Sequence, residues 1–223
     1  MKIPWLPVLI LLTGLLYIFI IPDNPYAVKI FFKLIPMLLI IRYAYLQFSA
    51  KKTITHWLIL IGLFFCMLGD GLIGEFVVGL SAFLIGHLFY LAGFLSRWHF
   101  SKVRFAMILP ISLYAFMIGR EIIAALLRDG NNVLIVPVLI YMLAISLMAW
   151  SAIMTGNKWA IIGSILFVLS DSILSWNMFV SDIAFSDQLI MTTYYTAQFL
   201  IAHSLRSFAI DTSQTIVKTS SHL

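Results

Sequence analysis

Two aspartates, Asp70 and Asp171, end long apolar stretches of the chain, where a charged side chain is unexpected. A carboxylate is costly in hydrocarbon, so an aspartate inside a membrane segment is a functional hypothesis by default. Two carboxyl groups in one dry cavity suit acid/base chemistry, because one can hold a proton near neutrality while the other stays ionised. Such a pair can protonate a substrate, stabilise an oxocarbenium-like cation and direct a water molecule.

Helix geometry puts the two aspartates at one depth. Asp70 lies roughly 7 Å, and Asp171 roughly 6 Å, from the middle of its segment toward the same side. Other apolar segments bring polar groups near this layer, and these residues are Lys33, His87, Tyr90, Tyr194, Tyr195 and Gln198. His87 and Tyr90 are three residues apart and share one helix face. Polar side chains from several segments at one depth predict a polar cavity within the membrane.

Each of these polar residues also has a simpler explanation. Lys33 could snorkel to the outer interface, or form a purely structural ion pair with Asp70. Tyr194 and Tyr195 could belong to an interfacial aromatic belt, and His87 could be a core histidine with its hydrogen bonds satisfied. The cavity hypothesis therefore depends on the convergence of these groups rather than on any one of them.

The composition places these residues in a membrane protein. The 223 residues are 62% hydrophobic and only 10% charged, whereas a soluble domain has about 25% charged residues. The net charge of +5 is interpreted as cytoplasmic Lys and Arg rather than as nucleic-acid binding. The lone cysteine, Cys66, lies in an apolar run and is interpreted as a small core residue.

Hydropathy predicts an all-α, polytopic membrane bundle of eight transmembrane helices, since each crossing needs about 20 apolar residues. The predicted spans are 4–21, 27–48, 56–74, 76–95, 103–120, 133–154, 158–176 and 187–208. We expect one domain over 1–210, followed by a polar, disordered tail over 211–223. A very tight link at Gly74-Glu75 joins the third and fourth spans.

The distribution of basic residues predicts the orientation. With eight crossings, both termini and the loops near residues 50, 100 and 157 lie on one side of the membrane. That side carries most of the basic residues, namely Lys2, Arg42, Lys51, Lys52, Arg97, Lys102, Arg104, Lys158, Arg206 and Lys218. The positive-inside rule then places both termini in the cytoplasm, and the expected location is the bacterial inner membrane.

An internal repeat relates the two halves of the sequence. An offset of 101 residues, without gaps, aligns four pairs: Pro36 with Pro137, Gly62 with Gly163, Leu68 with Leu169, and Asp70 with Asp171. Four helices separate the copies, so the copies run in the same direction and form a parallel repeat. Two parallel four-helix repeats and a chance match both stay open on the sequence alone.

Six short segments together resemble the signature of the YhhN family, an eight-helix group that includes lysoplasmalogenases. These are Phe32-Lys33 with Pro36, Leu68-Gly69-Asp70, Gly86-His87-Leu88-Phe89-Tyr90, Pro137 with Tyr141, Ser170-Asp171-Ser172, and Tyr194-Tyr195-Thr196-Ala197-Gln198. The resemblance extends from about residue 25 to residue 208. One departure is Leu34, which follows Lys33 where the family often has proline.

The resemblance implies hydrolysis of the vinyl ether of a lysoplasmalogen to a fatty aldehyde and a glycerophospho-base. It implies that Asp70 and Asp171 are catalytic, one as the acid and one stabilising the cation and directing water, without assigning which is which. Lys33 would bind the phosphate or tune an aspartate. The other residues of the implied binding site are His87, Tyr90, Tyr141, Tyr194, Tyr195 and Gln198.

The expected partners are a lysophospholipid substrate and membrane lipids. The sequence requires no metal or cofactor, since it has no zinc motif, Walker loop or dinucleotide fingerprint. It also lacks a nucleophilic serine elbow.

Two other classes of protein would use the same residues differently. A proton-coupled transporter or a lipid-binding membrane protein could carry the same buried Asp, Lys and His groups. A purely structural subunit would turn the polar groups toward neighbouring helices and leave no cavity. One enclosed pocket containing both aspartates would separate the last possibility from the others.

Overall fold

The computed structural model describes residues 5–22, 24–47 and 53–220, with side chains as far as Phe208. Helices make up 85% of the structure, and the described residues contain no strand. The predicted all-α class is therefore confirmed. The predicted loop near residue 50 lies partly outside the described residues.

Eight long helices and one short helix follow each other in the part of the chain that the structure describes. They are α1 (Leu6–Phe19), α2 (Tyr26–Leu46), α3 (Ile54–Leu72), α4 (Phe76–Leu95), the short α5 (Lys102–Ala106), α6 (Ile108–Arg128), α7 (Ile135–Thr155), α8 (Lys158–Phe179) and α9 (Ser186–Ser220). The link between α3 and α4 is as tight as the sequence predicts.

Five segments among the described residues are long and apolar enough to cross a membrane. They are α3, α4, α5 with α6 (Lys102–Arg128), α7 with the turn before it (Asn132–Thr155), and α8. The chain is therefore an integral membrane protein with a helical bundle, but these five spans are fewer than the eight predicted.

The three remaining long helices, α1, α2 and α9, are too short or too polar to qualify as membrane spans by length and composition. The described α1 has 14 residues, which gives about 21 Å at 1.5 Å per residue, against a hydrocarbon thickness of about 30 Å. The sequence of α2 contains Lys29, Lys33 and Arg42, and α9 is polar along much of its length. Length and composition alone therefore do not identify these three helices as membrane spans.

Two predicted boundaries differ from the structure. The predicted span 103–120 stops too early, because α6 continues to Arg128. Arg120 and Glu121 lie inside that helix and pair with each other at 2.7 Å on its exposed face, so their charges do not end it. The backbone of α9 continues to Ser220, into the predicted tail. The division into one domain and a disordered tail stays a prediction.

The helices pack in a pattern that has two-fold symmetry. Within the first half α3 packs most closely on α4, and within the second half α8 packs most closely on α9. Between the halves, α4 packs on α7 and α9 packs on α2. In each case the fourth helix of one half contacts the second helix of the other. This is the packing that a parallel four-helix repeat would give.

Aligned glycines make the closest approaches in both halves. A Cβ atom at Gly62 would lie 3.1 Å from the carbonyl oxygen of Gly86 on α4. A Cβ atom at Gly163, at the offset of 101, would lie 3.0 Å from the carbonyl oxygen of Ala197 on α9. Only glycine lets these helix backbones approach so closely, and small residues are the usual means of such packing in membranes.

The same contacts align the fourth helices of the two halves. The side chain nearest to a Cβ at Gly62 is that of Tyr90, and at Gly163 it is that of Ile201. Ala197 and Ile201 thus take the places of Gly86 and Tyr90, 111 residues further along the chain. The change from 101 to 111 comes from a longer α8, which continues to Phe179, together with a longer connection between α8 and α9.

We expect Gly163→Ala to be less stable than Gly14→Ala, by about 1–3 kcal/mol for overpacking. A methyl group at Gly163 meets the backbone of α9, whereas at Gly14 it meets only a ring atom of Tyr195 at an ordinary 3.6 Å. The gain in helix propensity is common to both changes and largely cancels. Thermal unfolding in detergent measures the difference, and equal stability of the two variants would contradict the close approach.

Candidate active site

Asp70 lies on α3 with both carboxylate oxygens engaged. Lys33 Nζ, from α2, lies 3.2 Å from Oδ1, and the hydroxyl of Tyr194, from α9, donates to Oδ2 at 2.7 Å. The residue is only 2% exposed. A cation and a hydrogen-bond donor both stabilise the charged form of a carboxyl group. The ion pair considered from the sequence is present.

Tyr195 supports the same cluster through the backbone of α2. Its hydroxyl donates to the carbonyl oxygen of Lys33 at 2.7 Å. Pro36, three residues further along α2, lacks the N–H that would donate to the carbonyl oxygen of the neighbouring Phe32, and proline locally loosens a helix. The bond from Tyr195 therefore fixes the backbone that carries the cation. Tyr194 and Tyr195 are both buried, which does not fit an interfacial belt.

Asp171 lies on α8 in a different environment. Its Oδ2 accepts a short hydrogen bond from the hydroxyl of Tyr141 on α7. In the part of the chain that the structure describes, Asp171 has no ion-pair partner. It is also more exposed than the buried Asp70. The two carboxyl groups lie at aligned positions but are chemically unequal.

One cavity of about 80 Å³ contains both aspartates. Lys33, Tyr141 and Tyr194 also line it, and the rest of its wall is mainly apolar side chains of α4, α7, α8 and α9. A water molecule occupies about 30 Å³ in the liquid, so the cavity has room for a reacting group and water. A purely structural arrangement of the polar residues would leave no such cavity.

Three other predicted residues lie deeper and do not line this cavity. Tyr90 donates to Gln198 Oε1 at 2.6 Å, and both residues are fully buried. The ring of His87 packs edge-on against that of Tyr141, with centroids 5.2 Å apart. His87 therefore lies behind Tyr141. The sequence placed these residues at the right depth but not on the face that lines the cavity.

Tyr195 lines another pocket, on the outside of the helices that carry Lys33 and Asp70. This groove lies between α1 and α9 and also includes Gly14 and Leu15. Tyr195 thus reaches the site through its hydroxyl group alone. Of the nine predicted site residues, five line the shared cavity and four surround it.

One hydrogen bond of His87 identifies which nitrogen carries the proton when the ring is neutral. Nδ1 contacts the carbonyl oxygen of Phe83 at 2.8 Å, and a carbonyl only accepts, so Nδ1 carries the proton. Nε2 is then an acceptor, and it is buried without a hydrogen-bond partner among the described residues. This nitrogen lies on the ring that supports Tyr141, close to the Asp171 side of the site.

Two residues at the site were not among the predicted site residues. The ring of Phe167 contacts those of His87 and Tyr194, with centroids 4.6 and 5.4 Å away. An aromatic residue inside an apolar run gives no signal of such a role. Ser170 donates to the carbonyl oxygen of Ile190 at 3.0 Å and ties α8 to α9 beside Asp171.

Fold and site together define an all-α integral membrane protein with a carboxylate pair in a cavity between its two halves. The sequence model of the YhhN family matches residues 28–205, which is more than half of the chain. The protein therefore belongs to the YhhN family, as its motifs predict. No curated protein and no solved structure matches the chain with significance.

We expect Lys33→Met to destabilise the protein by about 3–5 kcal/mol, because it leaves a buried carboxylate unpaired. Adding Asp70→Asn to Lys33→Met should recover part of this loss, since the double variant removes both charges. The matched control is Lys29→Met, which breaks the 3.6 Å pair with Asp187, whose side chain is 72% exposed. That change should cost at most about 1 kcal/mol.

Thermal unfolding in detergent measures the stability of all three variants. A Lys33→Met variant no less stable than Lys29→Met would show that the buried ion pair is not formed.

Proposed function

We propose that the protein is a membrane-embedded lysoplasmalogenase, which hydrolyses a vinyl ether by aspartate acid/base catalysis with water. The observation that supports this most directly is the cavity shared by two unequal carboxyl groups. Membership of the YhhN family, which is associated with hydrolase activity, agrees with it. The products would be a fatty aldehyde and a glycerophospho-base.

The reaction needs an acid first and a carboxylate beside the cation second. Protonation of the vinyl carbon distant from oxygen gives an oxocarbenium ion. Water then adds to the carbon bonded to oxygen and loses a proton, giving a hemiacetal. The hemiacetal collapses to the aldehyde and the glycerol hydroxyl. One water molecule is consumed in total. Positioned acids and preorganised charges accelerate steps of this kind.

The unequal surroundings assign the two roles. Asp171 has no cationic partner in the described structure, and a neutral carboxylic acid avoids the cost of a charge in hydrocarbon. Asp171 is therefore the acid in this proposal. Asp70, paired with Lys33 at 3.2 Å, is the fixed anion that stabilises the oxocarbenium ion.

The same two groups can complete the cycle. After the first step Asp171 is a carboxylate, so it can take the proton that the attacking water loses. This returns Asp171 to its starting form without a further base. Tyr141, which donates to Asp171, orients its carboxyl group, and His87 supports the ring of Tyr141.

Lys33 acts on Asp70 rather than on the phosphate in this proposal. Its Nζ already lies against Asp70, and its side chain is only 12% exposed. Tyr90 and Gln198 hold α4 and α9 together beneath the cavity through their 2.6 Å bond. Tyr194 and Tyr195 hold the anion and the cation in place.

The proposal also covers the number of membrane-spanning helices and the location of the termini. We propose that all eight long helices cross the bilayer, because α2 and α9 turn their polar site residues Lys33, Tyr194 and Gln198 toward the other helices rather than outward. Both termini would then lie in the cytoplasm of a bacterial cell. Reporter fusions at the two ends test this, and activity of a periplasmic reporter at either end would contradict it.

Asp70→Asn and Asp171→Asn should each lower aldehyde release by about 100-fold or more, since a positioned acid or base contributes about 10²–10⁴-fold. The assay uses purified protein and a small panel of lysoplasmalogens. Asp187→Asn is the control, because Asp187 is exposed and paired with Lys29. Full turnover in both site variants would end the two-carboxylate mechanism.

Reaction in D₂O tests the chemistry itself. Protonation at carbon predicts one deuterium at carbon 2 of the aldehyde, which immediate reduction to the alcohol preserves for mass spectrometry. An aldehyde without deuterium would contradict protonation at carbon. Solute flux in proteoliposomes without any turnover would instead favour a carrier.

A further inference from the structure

A second pocket reaches Asp171 from the opposite side of the cavity. This groove lies between α6, α7 and α8, and it includes Ala115 and Ser146. Tyr141, Met142, Asp171 and Ser175 line both the groove and the cavity. The two spaces therefore meet at Asp171, which explains why that aspartate is more exposed than Asp70.

The groove opens at the middle depth of the bundle. Ile118, the central residue of α6, lines it. Only 11% of the most apolar stretch of Lys102–Arg128 is buried, against 28–44% in the other four candidate spans. The segment containing α6 is thus the most peripheral of the five, and a groove beneath its midpoint faces hydrocarbon rather than water.

The wall between groove and cavity contains a flexible side chain. Met142 lines both spaces, and a Cβ atom at Gly119 on α6 would lie 2.7 Å from its Cε. Methionine is unbranched and adapts to irregular spaces. A change of its rotamer can widen the connection without moving a helix.

We infer that this groove binds the first carbons of the hydrocarbon chain of a single-chain ether lipid, with the vinyl ether at Asp171 and the glycerophospho end toward Asp70. This inference deepens the proposed function and rests on it. A ligand in this position would place the carbon to be protonated beside the acid. The distal part of the chain would stay in the bilayer.

The volumes of the cavity and the groove agree with a ligand of which only the reacting group and the first carbons lie inside the protein. The cavity of about 80 Å³ and the groove of about 40 Å³ are far below the roughly 300 Å³ or more of a typical small-molecule pocket. Neither can enclose a long chain. The reacting group and a few methylenes are what these spaces can hold.

A larger groove provides the matched control. The space between α1 and α9 measures about 310 Å³, but neither aspartate lines it. Leu15, which lines this groove, is half-exposed and contributes to neither the cavity nor the α6 groove. A bulky side chain at Leu15 therefore fills a groove that the inference does not use.

The kinetic test compares Ala115→Trp and Ser146→Trp with Leu15→Trp. The substrates are a long-chain lysoplasmalogen and a short vinyl ether of glycerophosphate with two carbons in the alkenyl group. Filling the α6 groove should lower kcat/KM at least tenfold for the long chain and leave it nearly unchanged for the short one. Leu15→Trp should change neither value. Thermal unfolding checks that all variants are folded.

A second measurement does not depend on turnover. A lysophosphatidylethanolamine with a saturated ether chain and a photoreactive diazirine near the ether oxygen is crosslinked to the wild-type protein, and the labelled peptides are identified. Labels on α6, which lines the groove but not the cavity, support the groove. Labels confined to other helices, or unchanged long-chain kinetics in both groove variants, would overturn it.

The two measurements distinguish a failure of the inference from a failure of the proposed function. Wild-type protein that releases no aldehyde from either vinyl ether contradicts the proposed function. Labelling on α6 in that case still establishes a lipid-chain site beside Asp171.

Discussion

The ion pair between Lys33 and Asp70 is the interaction on which the rest of the site depends. It joins α2 to α3, and the hydroxyl of Tyr194 adds α9 from the other half of the bundle. A buried ion pair contributes little net stability, since desolvation offsets the attraction. Its consequence is an electrostatic difference, because Asp70 has a cation against it and Asp171 has no ion-pair partner in the described structure. The cavity therefore contains two carboxyl groups in unequal surroundings.

Sequence reasoning predicted the depth of the site residues better than their direction. Helix rise converts residue number into depth, so Asp70 and Asp171 could be assigned to one layer before any contact was known. The direction of a side chain depends on how each helix is rotated against its neighbours. Single residues do not reveal that rotation, which is why His87 and Gln198 lie behind the cavity rather than on its wall. Tyr141 was found through its family motif alone, and its bond to Asp171 had no signal in the pattern.

The number of membrane spans is also hard to predict from the sequence. Hydropathy finds segments that are apolar all round, and α3, α4, α7 and α8 satisfy it. Helices that supply a buried site carry polar residues, which lower their hydropathy. The helix α2 carries Lys33, and α9 carries Tyr194 and Gln198, so neither is apolar enough to be recognised as a span. Two helices that supply the partners of Asp70 are thus inconspicuous as membrane spans. The tight α3–α4 link was predictable, because two long apolar runs leave only a few residues between them.

Repetition and asymmetry together account for the site. The repeat brings two aspartates to one cavity, yet the partners of Asp70 are not repeated. At the offset of 101 the position of Lys33 is occupied by Leu134. At the offset of 111, which the helix contacts set for the fourth helices, the position of Tyr194 is occupied by Phe83. A symmetric pair of carboxylates would repel each other and serve identical roles. The cation and the hydroxyl are replaced by apolar side chains in one copy, which leaves Asp171 without a counter-charge. In the proposed mechanism this difference allows one carboxyl group to give a proton while the other remains an anion.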